Sequence, residues 1–276
     1  MLIDTFAALW TLSLSSLLSS TSSPIFSVEN INKNINSSPK YSYQEASFSD
    51  SKSPSFLRPQ YAIDLRVTST IDWVILVNHQ PTFVVKNLTD AAIAAAKLTS
   101  IMNAPNFDPE NFYPMAQGEV YVGKYKDEIL FAISKVGIGN PSLNLTQWIN
   151  NLRVAAGVDP LTLVESQKQM HQLAATGDQM DGLASWYGPY FQGRQTASGE
   201  QFEQEDFTAA HPSLPFNTYL KVTNLQNGES VVVRINDRGP YVGNRNLDLS
   251  HAAAIAIKSD EAGVVPIVAT VLAPFN

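Results

Sequence analysis

The most constraining feature of this chain is a series of short apolar segments in residues 182–272, separated by turn signals. Frequent turns between short segments are typical of a small all-β domain. Asn227-Gly228 lies between two such segments, and this dipeptide tolerates the positive φ angles of a type I′ hairpin turn. In the second segment Val231, Val233 and Ile235 would share one face, because side chains alternate along a strand. Free sheet edges invite unwanted pairing, so the pattern favours a closed barrel.

One helix is predicted within this region. Ser250 is a suitable N-cap, and residues 251–258 are rich in strong helix formers. Lys258 ends the segment, where a positive charge suits a helix C-terminus. Asp248, shortly before the cap, is expected to fix the approach to this helix. The predicted class is therefore an all-β C-terminal domain that contains one short helix.

Seven phrases follow one another across the same region. They are ASWYG (184–188), GRQTASGEQF (193–202), TAAH (208–211), LPF (214–216), VTNL (222–225), VVVRINDRGPY (231–241) and LDLSHAAA (247–254). In this order they resemble the double-psi β-barrel domain of the rare lipoprotein A (RlpA) family of lytic transglycosylases, relatives of expansins and barwin-like proteins. The resemblance covers about a third of the chain and implies a six-stranded double-psi β-barrel.

The resemblance implies an endolytic peptidoglycan lytic transglycosylase that acts in cell wall remodelling or daughter-cell separation. Such an enzyme cleaves the MurNAc–GlcNAc β-1,4 bond without water: the substrate's C6 hydroxyl attacks the anomeric carbon and leaves a 1,6-anhydro-MurNAc end. One carboxyl group that acts first as acid and then as base can suffice, whereas hydrolases usually need two. A non-catalytic peptidoglycan-binding or wall-loosening barrel, or a structural septal or cell-wall interaction protein, remains an alternative because fold does not determine function.

Asp237 is the first candidate for the catalytic carboxyl group. It follows a strand with one buried face, so it should lie at the barrel rim, and Arg238-Gly-Pro then turns the chain. The resemblance implies that this aspartate lies in the active-site cleft. The alternative is plain turn chemistry, with Asp237 paired to Arg238 or Arg234.

Glu200 and His211 are the other predicted catalytic residues, both through the resemblance. Glu200 ends a loop in which Gly199 permits an unusual backbone angle, but it could instead bind only the backbone. Glu203 stands where the family usually has an aspartate, so it is either a substrate-binding residue or a solvated loop acid. His211 precedes a proline and should be extended; it could bind a carboxylate or a sugar hydroxyl, or serve the structure alone.

Four further side chains are predicted to bind substrate. Trp186, Tyr187 and Tyr241 offer flat faces for sugar stacking, although aromatic residues in a small barrel are by default part of the core. Asn236 could orient a sugar hydroxyl. No metal site and no cofactor are expected, because the histidines are scattered and no glycine-rich phosphate loop follows a strand.

Upstream of the barrel (182–276), residues 61–154 are predicted to form a small α+β accessory domain. Strands are expected at 65–67, 73–77, 82–85, 119–122 and 128–133, with a helix capped by Thr89 or Asp90 that ends at Met102. Residues 155–181 are predicted to be a helix, from Asp159-Pro160 to about Thr176, and a polar linker. His171 on that helix is expected at the surface.

The N-terminal region is predicted to serve export. Residues 1–23 have the apolar run typical of a signal peptide, too short for the ~20 residues that span a bilayer, although no Lys or Arg precedes Lys33. Residues 24–60 are rich in Ser, Asn and Pro and are predicted to be a disordered linker. The chain has no cysteine, so we expect an exported periplasmic or cell-wall protein with no lipid anchor and no stable membrane anchor.

The net charge of the chain indicates which classes of partner it can bind. The formal net charge of −7 argues against nucleic acid, whose phosphates require a basic surface. The expected partners are peptidoglycan glycan strands, together with cell-wall or septal proteins.

Overall fold

A computed structural model describes residues 60–68, 72–134 and 139–275. The predicted signal peptide and nearly all of the predicted linker lie outside the described residues. Among the helices that are described, none is both long and apolar enough to cross a bilayer.

The described residues upstream of the barrel form two three-stranded sheets and three α-helices. The first sheet has the order β1-β2-β3, and the second has the order β4-β5-β6. The strands are β1 (Ile63–Val67), β2 (Trp73–Val77), β3 (Gln80–Val85), β4 (Phe112–Gln117), β5 (Val120–Tyr125) and β6 (Glu128–Ser134). The helices are α1 (Leu88–Met102), α2 (Pro141–Ala155) and α3 (Leu163–Met170), with a short 3₁₀ turn at Pro109–Asn111. The predicted α+β class of this domain is confirmed.

Capping residues determine where these helices begin. Asn87, and not Thr89 or Asp90, caps α1 by accepting a hydrogen bond from the Asp90 N–H at 2.9 Å. The sequence analysis missed α2, although Asn140 caps it and Pro141 occupies its first turn. It also missed β4, which contains Pro114, because a proline has no N–H to donate within a sheet and therefore argues against a strand. The proline is tolerated here because β4 is an edge strand.

One apolar core joins the two upstream sheets to the helices. The rings of Phe83 and Phe131 lie 4.3 Å apart at its centre. Met170 of α3 is buried in the same core and Leu161 packs against it, so part of the segment predicted as helix and linker packs with the upstream domain. The helix is also shorter than predicted: it begins after Thr162, which forms a capping box with Glu165.

The C-terminal region is a closed barrel with the strand order β10-β8-β11-β7-β12-β9. Its strands are β7 (Leu173–Trp186), β8 (Thr208–Ala210), β9 (Tyr219–Asn224), β10 (Ser230–Asp237), β11 (Leu247–Leu249) and β12 (Val265–Pro274), with α4 at His251–Ala256. β10 pairs with β9 as well as with β8, so the sheet closes on itself. The predicted six-stranded barrel with one short helix, capped by Ser250, is confirmed.

Two local expectations differ from the structure. Residues 176–181, predicted to belong to a polar linker, are part of β7, and Gln179, Met180 and Asp181 pair with β12. The β9–β10 connection is a five-residue loop, residues 225–229, rather than a two-residue type I′ turn. Gly228 has φ +78°, but Asn227 does not adopt positive φ, and the Asn224 N–H closes the loop on the carbonyl of Glu229 at 2.9 Å.

The barrel core explains why β10 can present a site. Val231, Val233 and Ile235 point into the core and are fully buried, as predicted. Val232 and Asn236 on the other face are also buried. A strand held on both faces is rigid, which suits a scaffold for side chains at its C-terminal end.

Candidate active site

Asp237 is the last residue of β10, and its side chain is half-buried beside a cavity of about 190 Å³. Its Oδ1 accepts hydrogen bonds from the backbone N–H groups of Ala197 and Arg238, each at 2.8 Å. Its Oδ2 accepts a hydrogen bond from the Tyr187 hydroxyl at 2.7 Å. The carboxylate is therefore oriented by a tyrosine and two backbone amides, and not by either arginine side chain that the sequence analysis considered.

Tyr187, the donor to Asp237, is packed against two aromatic rings. Its ring lies 4.7 Å from the ring of Phe202 and 5.2 Å from that of Phe191. Burial raises the pKa of Tyr187 above its usual range, and the hydrogen bond to Asp237 and the charges of Asp237 and Asp248 act in the same direction. The phenol therefore keeps its proton and remains a donor to Asp237.

The loop between Gln195 and Gln201 brings Ala197 to Asp237. The Thr196 N–H donates to the carbonyl of Glu200 at 2.8 Å, which closes the loop into a tight turn. Gly199 has φ +94°, a backbone conformation that side chains other than glycine rarely adopt.

Glu200 is paired with an arginine. Both guanidinium Nη atoms of Arg234 donate to its carboxylate oxygens at 2.7 Å, and Asn236 Nδ2 donates to Oε2 at 3.1 Å. The hydrogen bond to Glu200 is the main cause that raises the pKa of Arg234. Because both oxygens face Arg234, this geometry suits a residue that holds the loop in place better than one that donates a proton. The catalytic role of Glu200 stays a prediction.

Asn236 hydrogen-bonds to the same loop. The residue is only 3% exposed, and its backbone carbonyl accepts a hydrogen bond from the Ser198 N–H at 3.2 Å. The predicted contact of Asn236 with a sugar hydroxyl does not fit this burial, since the side-chain amide is turned inward to Glu200.

His211 is a neighbour of Asp237 across the strand pair. The backbone N–H of His211 donates a hydrogen bond to the backbone carbonyl of Asp237 at 3.2 Å. Its Nδ1 accepts hydrogen bonds from the N–H groups of Ser213 and Leu214, at 3.1 and 2.9 Å. Burial, followed by the charge of Arg238, lowers the pKa of His211. The imidazole is therefore neutral with its proton on Nε2, and it orders the loop that follows β8.

Two aromatic candidates lie in different environments. Trp186 donates through Nε1 to the Asp260 carbonyl at 3.0 Å, and its ring lies 5.0 Å from that of His251. Trp186 thus packs at the start of α4, whereas Tyr187, the next residue, faces Asp237. Tyr241 follows the turn after Asp237 and is 78% exposed, so a sugar ring could stack on it.

Glu203 lies away from the Asp237 cavity. It is partly exposed, hydrogen-bonds to Gln192, and lines a second, larger groove of about 1560 Å³ together with Glu200 and Arg234. The loop that carries Glu200 therefore separates two concave surfaces.

Asp248 is the residue near this site that the sequence analysis assigned only to the helix approach. It pairs with Ala210 of β8, and Ala210 also pairs with Asp237, so the two aspartates flank one residue across neighbouring strands. Two strand spacings separate their Cα atoms, roughly 10 Å. Ser185 and Arg245 both donate to Asp248 Oδ1. The sequence carried a local signal for Asp237, which follows a predicted strand, but none for Asp248, because β11 (Leu247–Leu249) was not predicted.

Parts of this chain are similar to known proteins. The family model described as "Lytic transglycolase" matches residues 179–269. A Synechocystis sp. protein named a probable endolytic peptidoglycan transglycosylase RlpA is 43% identical over 189 residues, which are 63% of this chain and 59% of that protein. The Campylobacter jejuni protein named endolytic peptidoglycan transglycosylase RlpA is 53% identical over 95 residues, 34% of each chain.

The barrel is a domain of the RlpA family. The chain spans 59% of the length of its Synechocystis relative and 34% of its Campylobacter relative. A solved structure of an expansin from Clavibacter michiganensis is 26% identical, with a TM-score of 0.30, over 36% of this chain and 53% of that one.

Replacing Tyr187 with Phe is expected to leave the fold intact and, for the glycan cleavage that is proposed below, to lower the rate about tenfold. The variant loses one hydrogen bond to the Asp237 carboxyl group, and such a bond is typically worth about 0.5–3 kcal/mol, with the larger values for a charged acceptor. The initial rate of soluble glycan release measures the effect. Tyr113→Phe is the matched control, because its hydroxyl donates to the Lys126 carbonyl in the upstream domain. Equal rates for both variants would argue against a role for the Tyr187 hydroxyl.

His171, expected at the surface, is instead packed at the C-terminus of α3. Its ring lies 5.0 Å from that of Tyr219, and the Tyr219 hydroxyl is 3.4 Å from its Nδ1. Burial, and then the positive charge of Arg234, lower the pKa of His171 to about 4. The histidine is neutral in the folded protein at neutral pH.

This lowered pKa predicts a pH-dependent stability. Between pH 6.5 and 4 the unfolded chain binds more protons at His171 than the folded chain does, so the stabilisation is complete above pH 6.5 and is lost as the pH falls towards 4. The loss is up to about 3 kcal/mol. Urea unfolding at pH 7 and 4.5 should show a weaker pH dependence in His171→Asn, and an unchanged one in the control His79→Asn, whose side chain is exposed. An equal pH dependence in all three proteins would contradict this assignment.

Within the part of the chain that the structure describes, no three His, Asp or Glu side chains cluster in a way that could hold a metal ion.

Proposed function

We propose that this protein is an endolytic peptidoglycan lytic transglycosylase whose catalytic carboxyl group is Asp237. It cleaves the MurNAc–GlcNAc β-1,4 bond and leaves 1,6-anhydro-MurNAc ends. The observation that carries the proposal is the Asp237 carboxyl group, which lies at the end of β10, is oriented by hydrogen bonds and lines a cavity. The names of the relatives support the reaction class.

The proposed reaction needs one proton carrier. Asp237 gives its proton to the oxygen that leaves the anomeric carbon, the C6 hydroxyl attacks that carbon, and the Asp237 carboxylate then takes the hydroxyl proton. No water enters, and Asp237 ends in its starting protonation state. Tyr187 and the Ala197 N–H hold the carboxyl group in one orientation, so less reorganisation is needed in the transition state.

Asp248 supplies a second negative charge on the same edge of the barrel. The bond cleavage passes through an oxocarbenium-like state, which a nearby carboxylate stabilises. Asp248 is held by Arg245 at 2.9 Å, so its role is electrostatic, whereas proton transfer belongs to Asp237. Glu200 and His211 position the loops on either side of Asp237.

The substrate-binding surface of this proposal is a rim of exposed aromatic side chains. Tyr190 and Phe191 lie on one loop beside the cavity, and Tyr241 lies on the turn after Asp237. Flat aromatic faces stack on the apolar faces of sugar rings. The same rim favours the second candidate, a peptidoglycan-binding or wall-loosening barrel without catalysis, because stacking alone could hold a glycan strand.

Incubation of the purified protein with sacculi separates the two candidates. Soluble products with 1,6-anhydro-MurNAc ends, detected by mass spectrometry, are expected for the transglycosylase. Reducing MurNAc ends would indicate a hydrolase, and co-sedimentation without any release would indicate a binding module.

The proposed substrate requires export to the periplasm or cell wall. The mature N-terminus, determined by N-terminal peptide mass spectrometry of the protein from its host, tests this requirement. A full-length cytoplasmic chain would contradict it, since the enzyme would not meet peptidoglycan.

A further inference from the structure

Helix α3 packs against barrel strand β10, and one of its side chains hydrogen-bonds to the backbone of that strand. Gln167 is 2% exposed; its Nε2 donates to the Val232 carbonyl and its Oε1 accepts from the Val232 N–H, both at 2.8 Å. The pairing of β8 with β10 begins only at Arg234, so the edge of β10 before that residue is not covered by β8. The amide of Gln167 takes the place of a neighbouring strand at this edge.

A second contact reaches the residue that pairs with Arg234. His171, the C-cap residue of α3, packs its ring against Tyr219. Tyr219 lies directly across from Arg234 in the antiparallel pair of β9 and β10. Helix α3 therefore contacts β10 just before Arg234, and also contacts the cross-strand neighbour of Arg234.

A third contact reaches the loop that follows Glu200. Asn140, the buried N-cap of α2, donates through Nδ2 to the Glu205 carbonyl at 2.6 Å. Two helices of the upstream region thus contact the chain on both sides of the Arg234–Glu200 ion pair.

The ion pair is connected in turn to Asp237. Arg234 holds Glu200, Glu200 closes the loop through the Thr196 N–H, and the Ala197 N–H of that loop donates to Asp237 Oδ1. Each step in this series is a hydrogen bond or a step along the backbone of the loop. A displacement of β10 at Val232 would therefore move the donors that orient Asp237.

We propose that the upstream region positions the active site of the barrel, and that Gln167 is the positioning residue that does so. Gln167 fixes β10 at Val232, and through Arg234 and Glu200 it sets the orientation of Asp237. The activity measurement that tests this inference rests on the proposed function. The hydrogen-exchange measurement does not, because it requires no enzymatic activity.

The test compares Gln167→Ala with Gln169→Ala in the full chain. Gln169 lies on the same helix but is exposed, so its replacement removes the same side chain without removing the contacts to Val232. For Gln167→Ala we expect kcat on solubilised glycan strands to fall about ten- to a hundredfold with KM changed less than about twofold, because a small misplacement of a catalytic group is costly. Amide exchange should accelerate at Val232, Arg234 and Ala197.

The outcomes are distinct. The proposal is overturned if Gln167→Ala matches Gln169→Ala in both measurements, or if exchange accelerates evenly over the whole barrel, since that indicates a purely structural role. If the wild-type protein releases no glycan, the proposed function fails, and exchange at Ala197 alone decides this inference. Should Gln167→Ala not fold, Gln167→Met keeps the side-chain volume and removes the same two hydrogen bonds.

Discussion

Replacement of Asp237 by Asn is expected to lower the release of anhydro-muropeptides from sacculi at least about a hundredfold. An amide has nearly the shape of the carboxyl group, but it can neither give a proton to the leaving oxygen nor take one from the C6 hydroxyl. General acid–base catalysis typically raises a reaction rate roughly 10²–10⁴-fold. The variant should still sediment with sacculi, because the exposed rim residues Tyr190 and Tyr241 are unchanged. Mass spectrometry of the soluble fraction measures the rate.

Asp178→Asn is the matched control for this experiment. Asp178 lies in the same barrel on β7, but it is exposed and far along the strand from Tyr187. Circular dichroism of both variants checks that the fold is kept. Full activity in Asp237→Asn would remove Asp237 as the proton carrier even if the enzyme class were correct, and Asp248 would then be the carboxylate to replace next.

Replacement of Ile235 by Ala is expected to lower the free energy of unfolding by about 2–5 kcal/mol. Ile235 is fully buried in the barrel core, two residues before Asp237, and its backbone pairs with β8 on one side. Loss of its side chain leaves a cavity that a closed barrel has little freedom to collapse. Urea unfolding, followed by fluorescence of the tryptophans, measures the change.

Ile255→Ala provides the comparison for Ile235→Ala. Ile255 lies on α4 and is 49% exposed, so its truncation should change the free energy of unfolding by no more than about 0.5 kcal/mol. If the two variants unfold at the same urea concentration, the barrel core does not depend on β10 in the way the packing indicates.

Local sequence was sufficient to place Asp237 where β10 ends, whereas its choice as the catalytic candidate came from the family resemblance. A residue that directly follows a strand with a buried face lies where the strand leaves the core, whatever the rest of the fold does. The same local reasoning could not choose between Trp186 and Tyr187. Neighbouring side chains on a strand point to opposite faces, so only one of them can face Asp237, and the register of β7 against β11 decides which.

The partners of Glu200 show the limit of sequence reasoning in the candidate site. The resemblance indicated a carboxylate at this position but not its partner. Arg234 is 34 residues away, and it reaches Glu200 only because β10 runs beside the loop. His171 was misjudged for the same reason: its helix looks amphipathic and polar, and its burial depends on contact with Tyr219, 48 residues further on.

By itself, the sequence determined the alternation of β10, the cap of α4 and the succession of short strands and turns, since these depend on neighbouring residues. The tertiary structure alone decided the closure of the sheet, the Arg234–Glu200 pair, the position of Asp248 across Ala210 and the attachment of Gln167 to Val232. The physical reason is that these contacts join residues far apart in the chain. Their geometry depends on strand register, and on the irregularity in β10 between Ile235 and Asp237, which no local pattern encodes.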